Sequence, residues 1–260
     1  MILCVDVGNT NIVCVLYNDK KESVWHCRLP TSDVVHSDIL PSIFGEYDIE
    51  YCVFSSVVAH IHNVFAKWCK NKKIEFICIK SYLDIGFVMN VDNPETVGID
   101  RLLNLRGAKE KYSQKHTGHI LVVDGGTATT YNLLTADNIF LGGAIAAGLN
   151  MMRDGLHEYT DALPYVDIIL NPHLTGTHTT GAMQSGLFWG YIAQTDGMIE
   201  MFKQKYHDIT VIGTGGMMNF CKDYVKSLDY YDDNLIIEGL LSVSEKMRAE
   251  SRVVKNNSSK

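Results

Sequence analysis

The run Asp6-Val7-Gly8-Asn9-Thr10-Asn11 closes one short apolar stretch and opens another. A glycine-bearing turn of this kind clusters backbone N–H groups with no side chain in the way, and such a nest takes phosphate. An aspartate at its edge repels phosphate directly but holds Mg²⁺, or water on it, which then bridges the phosphates. An Asn/Gly hairpin capped by Asp6 is the plainer alternative. The pattern returns 118 residues later as Asp124-Gly125-Gly126-Thr127-Ala128, now with a hydroxyl at the turn. Two such turns, one per lobe, can face a polyphosphate across a cleft. A third glycine turn, Gly213-Thr214-Gly215-Gly216, follows the apolar run 209–212 and would let a flat base or ribose approach the backbone. The chain contains no G-x-x-x-x-G-K-[ST], so this is not a Walker P-loop.

Gly98-Ile99-Asp100-Arg101 stands where a loop should enter a helix. Asp100 is either a helix cap with Arg101 solvated behind it, or a general base for an attacking hydroxyl with Arg101 gripping an anionic group. The run 141–149 is rich in small residues, as a tightly packed strand and turn would be. From Thr179 a helical stretch carries Ala182, Gly186, Gly190, Ala193 and Gly197 along one stripe, which permits close approach of another helix, within the fold or across a dimer.

These residues need elements to hold them. Residues 2–29 read as three strands, 51–58 and 74–79 as strand-like runs, and 60–73 and 101–115 as helices. The order repeats with strands at 120–124, 129–135 and 138–142, a helix over 179–206, a strand at 209–212 and a helix over 235–249. Strands followed by helices in each half predict an α/β protein of two similar lobes. The expected boundaries are 1–117, 118–252 and a polar tail over 253–260.

Composition sets the outer limits. With 260 residues, 46% of them hydrophobic, the chain is an ordinary globular protein. A net charge of −7 disfavours nucleic acid as a partner. Seven scattered cysteines, never spaced C-x-x-C, read as reduced thiols of a cytoplasmic protein. The first residues do not look like a signal peptide. The stretch 170–195, which has no Asp, Glu, Lys or Arg, is too polar for a membrane span. His60-x-His62 and His116-x-x-His119 lack the partners of a zinc site, and Trp25, Trp68 and Trp189 read as packing.

Taken together, DVGNTN at 6–11, GIDR at 98–101, DGGTATT at 124–130, LGGAIAAGL at 141–149, TTGAMQSG at 179–186 and GTGG at 213–216 resemble the type III pantothenate kinase family. That family belongs to the superfamily of acetate and sugar kinases, heat-shock chaperones and actin. The resemblance implies a duplicated actin-like (ribonuclease H-like) topology with an interlobe ATP cleft. It also implies transfer of the ATP γ-phosphoryl group to the primary hydroxyl of pantothenate, the first step of coenzyme A synthesis.

By position, Asp6, Val7, Gly8, Asn9, Thr10 and Asn11, with Ile12 and Val13, would cradle ATP, and Thr127 would reach its phosphates. Gly213, Gly215 and Gly216 would join that ATP site. Asp100 would be the base, and Val91, Gly98, Ile99, Arg101 and Thr179 would contact pantothenate, Thr179 from the partner subunit of a homodimer. Asp124 would ligate K⁺ or NH₄⁺, and Asp6 would meet Mg²⁺ through water. The family commonly has Tyr where this chain has Val91, and Glu where it has Gly181. Two rivals stay open: a kinase of the same fold acting on a sugar or another small alcohol, and a nucleotide-dependent regulator without catalysis.

Overall fold

A computed structural model describes residues 1–34 and 39–258, with side chains as far as Ala249. The chain forms two compact units. The first comprises Met1–Val88, Asp92–Tyr112 and Asn234–Lys260; the second comprises Met89–Val91 and Ser113–Asp233.

The first unit is built on β1 (Ile2–Val7), β2 (Asn11–Tyr17), β3 (Ser23–Pro30), α1 (Ile39–Phe44), β4 (Tyr51–Ser56), α2 (Ala59–Lys72), β5 (Glu75–Cys78) and α3 (Tyr82–Ile85). A two-residue strand β6 (Val88–Met89) follows, then α4 (Ile99–Tyr112). The sheet runs β3-β2-β1-β4-β5, with β1 antiparallel to β2 and parallel to β4. Its core forms where Leu3, Val5, Cys14 and Leu16 meet Phe44, Phe65 and Trp68 from α1 and α2. The spacing of Ile61, Phe65, Trp68 and Cys69 gives α2 one buried stripe, and Lys73 ends the helix in the left-handed region.

The second unit contains β7 (His119–Gly125), β8 (Ala128–Leu134), β9 (Ile139–Ala147), α5 (Leu149–Glu158), α6 (Thr179–Lys205), β10 (Ile209–Thr214), α7 (Gly216–Cys221) and β11 (Tyr230–Tyr231). Its sheet runs β11-β10-β7-β8-β9-β6. Leu121, Val123, Tyr131 and Leu133 pack there against Leu187, Phe188, Tyr191 and Ile199 of α6.

Strip off the edge strand β6 and the two sheets have one topology: β3-β2-β1-β4-β5 in the first, β9-β8-β7-β10-β11 in the second. The strand directions also match, antiparallel for the hairpins and parallel beyond. Strands β2 and β8 even share a residue-by-residue burial pattern. The repeated Asp-x-Gly motif thus marks a true duplication, the α/β class expected.

The last helix, α8 (Leu235–Ser258), returns to the first unit and packs along α4. Gly107 and Gly239 make that contact close, since a Cβ on either would strike a backbone carbonyl of the opposite helix, Leu235 or Leu103. Tyr17 donates to Glu238 Oε1 at 3.3 Å, fixing α8 to β2. The sequence halves place this helix with the second lobe, whereas its packing partner lies in the first unit. The helix also continues through Ser258, beyond the expected end at 249 and into the stretch read as a polar tail; Ser259 and Lys260 lie outside the described residues. Among the described residues no helix is long and apolar enough to cross a membrane.

Candidate functional site

In the first unit the hairpin between β1 and β2 closes with Gly8 N donating to Asn11 O at 2.9 Å. Thr31, just past β3, clamps it: its hydroxyl donates to Gly8 O at 2.8 Å and its N–H to Thr10 O at 3.0 Å. Asn9 and Thr10 are exposed at the tip, while Val7 and Ile12 are buried core residues that can offer a ligand only backbone. Val13 pairs with Asp6 across the hairpin. Asp6 also lies opposite Ser55 of β4, whose buried hydroxyl donates to Asp6 Oδ1 at 2.6 Å. Sequence reasoning missed Ser55 and Thr31; the one trace of Ser55 is that hydroxyls replace apolar residues where the run 51–54 ends.

Asp100 is the second residue of α4, so it is not the helix cap that the plainer reading made it. Its carboxylate folds back over Gly98, where a Cβ would strike Oδ1. Ile99 is buried, and Arg101 is half-buried: burial lowers its pKa, and Asp100 raises it.

The second unit repeats the hairpin. Gly126 N donates to Ala128 O at 3.1 Å, and Thr127 is exposed at the turn. Gly148, which precedes α5, lies so close that its Cβ would meet the carbonyls of Gly126 and Thr127. The run 141–149 therefore holds the end of β9 and the start of α5, a helix the sequence reading did not include.

Three glycines bring α7 against this hairpin. A Cβ on Gly125 would meet Met218 N and the Tyr191 hydroxyl, and one on Gly213 would meet Met218 and Leu228. Gly213 is buried within β10, so its bareness serves packing rather than a bound base. Gly215, at φ +89°, is where only glycine fits: a Cβ there would strike Asp124 Oδ1 and the Gly125 carbonyl. Gly216 is exposed at the start of α7. Tyr191 shares a 3.0 Å hydrogen bond with Thr129 beneath the hairpin. Burial, the larger cause, together with the charge of Asp124, holds its pKa above the ordinary range.

Metal chemistry can be tested on these atoms. Among the described residues no three His, Cys, Asp or Glu side chains gather as a ligand set. Oxygens of Asp124 and Gly125 pack against Gly215 where a side chain would stand, so they lie near each other, and oxygen donors suit hard cations. Asp6 offers a carboxylate with one oxygen fixed by Ser55, which fits Mg²⁺ that arrives on a nucleotide with most of its own waters. Two histidines of the weak metal motifs have other partners: His116 Nε2 pairs with Tyr230 OH at 2.8 Å, and His62 packs edge-on against Phe54 and Phe76.

Val91 packs toward Gly142, which has φ +86°. Thr179 is exposed at the start of α6, beside a pocket of about 540 Å³ lined in part by Thr177, His178, Gly181 and Gln184. The His178 ring caps this helix, Nδ1 accepting from Gly181 N at 3.1 Å. A Cβ on Gly181 would press on that ring, so the ring cap and Gly181 go together. Along α6, Gly186, Gly190 and Gly197 have nothing within 4 Å of where a Cβ would stand, which leaves the small-residue stripe uncovered.

Two sheets of one topology, each with an Asp-Gly hairpin at the end of its first strand, define the duplicated actin-like class that includes sugar kinases. Solved structures agree on the fold. A protein assigned to the Baf family from Campylobacter jejuni superposes with a TM-score of 0.59 at 21% identity over 95% of this chain and 99% of its own. An inorganic polyphosphate/ATP-glucomannokinase from Arthrobacter sp. strain KM gives 0.51 at 12% identity over 94% and 98%. The sequence goes further. The profile of type III pantothenate kinase matches residues 2–201. A type III pantothenate kinase from Maricaulis maris is 34% identical over 94% of this chain and 96% of its own. This chain belongs to the type III pantothenate kinase family.

Proposed function

We propose that the protein phosphorylates pantothenate at the expense of ATP, the opening step of coenzyme A synthesis, with Asp100 as general base. Family membership over nearly the full chain carries this reading. Phosphoryl transfer demands alignment and charge neutralisation more than covalent chemistry. The residues supply both. Backbone donors of the first hairpin and the Thr127 hydroxyl hold the phosphates, and Asp6 orients the divalent ion that shields them. Asp100 takes the proton of the attacking hydroxyl, and Arg101 draws in the pantothenate carboxylate. The backbone of Gly215 and Gly216 borders the nucleotide, and Asp124 holds K⁺ or NH₄⁺ as further positive charge.

Thr179 acts on the partner's substrate in a homodimer joined along the uncovered stripe of α6. An ATP-consuming enzyme with seven free cysteines belongs in the cytoplasm. The test is ADP formation with pantothenate, in K⁺ and in Na⁺, for the parent and Asp100→Asn. The expected loss of kcat is at least ~100-fold with ATP binding retained. Normal turnover by the variant ends the assignment of the base, and a better rate on a sugar ends that of the substrate.

A further inference from the structure

Six of the seven cysteines lie on strands or helices of the first unit, and two of them face each other squarely. Cys14 of β2 is the register partner of Cys27 of β3. Directly opposed residues of an antiparallel pair have Cα atoms about 4.5–5.5 Å apart, inside the roughly 4.4–6.8 Å span of disulfides. Both side chains take the core-facing side of the sheet, Cys14 fully buried and Cys27 half-buried against the same cluster. Neighbouring strands offer no rival there, because Cys4 of β1 is opposite Val15.

We propose that Cys14 and Cys27 form a reversible disulfide when the protein meets hydrogen peroxide. The thiols are hydrogen-bonded to each other, which holds Cys27 below the ordinary thiol range and Cys14 above it. Cys27 is therefore the first to react. Its thiolate attacks the peroxide O–O bond, giving a sulfenic acid and hydroxide, which takes up the thiol's proton as water. The Cys14 sulfur then attacks the sulfenic sulfur, the S–S bond forms, and the hydroxyl leaves with the Cys14 proton as a second water. Two thiols lose two electrons and one peroxide gains them. Two equivalents of an external thiol reverse the change.

The bond would tie edge strand β3 to β2 three register pairs from the hairpin that Thr31 clamps. The other thiols are worse placed. Cys52 and Cys69 touch each other but both are fully buried, and burial raises Cys52. Cys78 is half-buried, and burial pushes its thiol up. Cys221 is raised to about 12 by its surroundings and donates to Met217 O at 3.1 Å.

The full chain, reduced and freed of reductant, is treated with peroxide, unfolded and alkylated. The expected product takes up five alkyl groups in place of seven, carries a Cys14–Cys27 linked peptide, and regains seven after dithiothreitol. Cys27→Ser should abolish the loss, and Cys14→Ala should leave a dimedone-reactive sulfenic acid at Cys27. Full alkylation after peroxide, or a link between Cys52 and Cys69, overturns the proposal. A readout free of any folding defect uses the parent alone. Brief native alkylation should label Cys27 before Cys78, and the reverse order equally overturns it.

Discussion

Ser55 Oγ donates to Asp6 Oδ1 at 2.6 Å, between adjacent parallel strands and with the serine wholly buried. A hydrogen bond to a carboxylate at this length is charge-assisted and about twice as strong as a neutral one. Asp6 sits one residue before the end of β1, so its backbone is fixed by the sheet and its carboxylate by the serine. The side chain's orientation is not left to chance. The consequence is a carboxylate held in one orientation by the fold itself.

Ser55→Ala should therefore weaken nucleotide handling without unfolding the protein. A charge-assisted hydrogen bond contributes about 1.5–3 kcal/mol, so kcat/KM for Mg-ATP should fall by roughly 10–100-fold. KM for pantothenate should change far less. Ser55→Thr, which keeps the hydroxyl, should recover part of the loss. Parent-like kinetics for Ser55→Ala across an ATP titration would show that the contact does not position Asp6.

Gly98 does for Asp100 by absence what Ser55 does for Asp6 by bonding. Any Cβ at position 98 enters the volume held by Asp100 Oδ1, so Gly98→Ala must swing the carboxylate aside. A shift of about 1 Å in a reacting group can cost roughly 100-fold. We expect kcat of Gly98→Ala to drop ~10–100-fold while KM for ATP stays close to that of the parent. The double variant with Asp100→Asn should lose little beyond Asp100→Asn alone, because both act through one carboxylate. Full additivity of the two losses would sink the coupling.

The hairpins were legible because their signal is local. An apolar strand, Asp-x-Gly and a second apolar strand sit within about a dozen residues, and the second copy reproduces them. The parallel partner was not legible. Ser55 lies 49 residues from Asp6, and nothing in residues 51–58 says which strand they will pair with. The same limit applies to α8, whose contact with α4 depends on Gly107 meeting Gly239 across a long stretch of chain. Helix α5 escaped notice for a different reason. Its short segment opens directly from the small-residue strand β9 and has Gly155 in its middle, so propensity argues against a helix that packing nonetheless forms. In the third glycine turn the glycines serve packing in two ways: Gly213 admits the side chains of Met218 and Leu228, while Gly215 makes room for Asp124.

The close crossing of α4 and α8 yields a stability prediction. Gly239→Ala puts a methyl group on the Leu103 carbonyl, and backbone cannot rotate away as a side chain can. Overpacking of this sort costs about 1–3 kcal/mol, which should lower Tm by roughly 3–10 °C. Gly155→Ala is the control, since nothing lies within 4 Å of the added carbon and α5 gains a better helix former. Calorimetry on the two variants should move Tm in opposite directions. Equal Tm values for Gly239→Ala and the parent would mean that the helices separate at no cost.

Gly215 offers a test of the monovalent ion proposed at Asp124. Its φ of +89° is strained for any L side chain, and a methyl group there would strike Asp124 Oδ1 and the Gly125 carbonyl and push both aside. If Asp124 holds K⁺, the parent should turn over in K⁺ or NH₄⁺ and be nearly idle in Na⁺, because a smaller ion cannot reach all the oxygens that a larger one spans. Gly215→Ala should then need ~10-fold or more K⁺ for half-activation, the scale of one lost cation contact worth about 1.4 kcal/mol. Asp124→Asn should act in the same direction by removing the charge and keeping the shape. A folded Gly215→Ala with the parent's K⁺ response would place the ion elsewhere. A parent that works equally well in Na⁺ would remove the ion from the reaction altogether, leaving Asp124 to serve the hairpin's geometry alone.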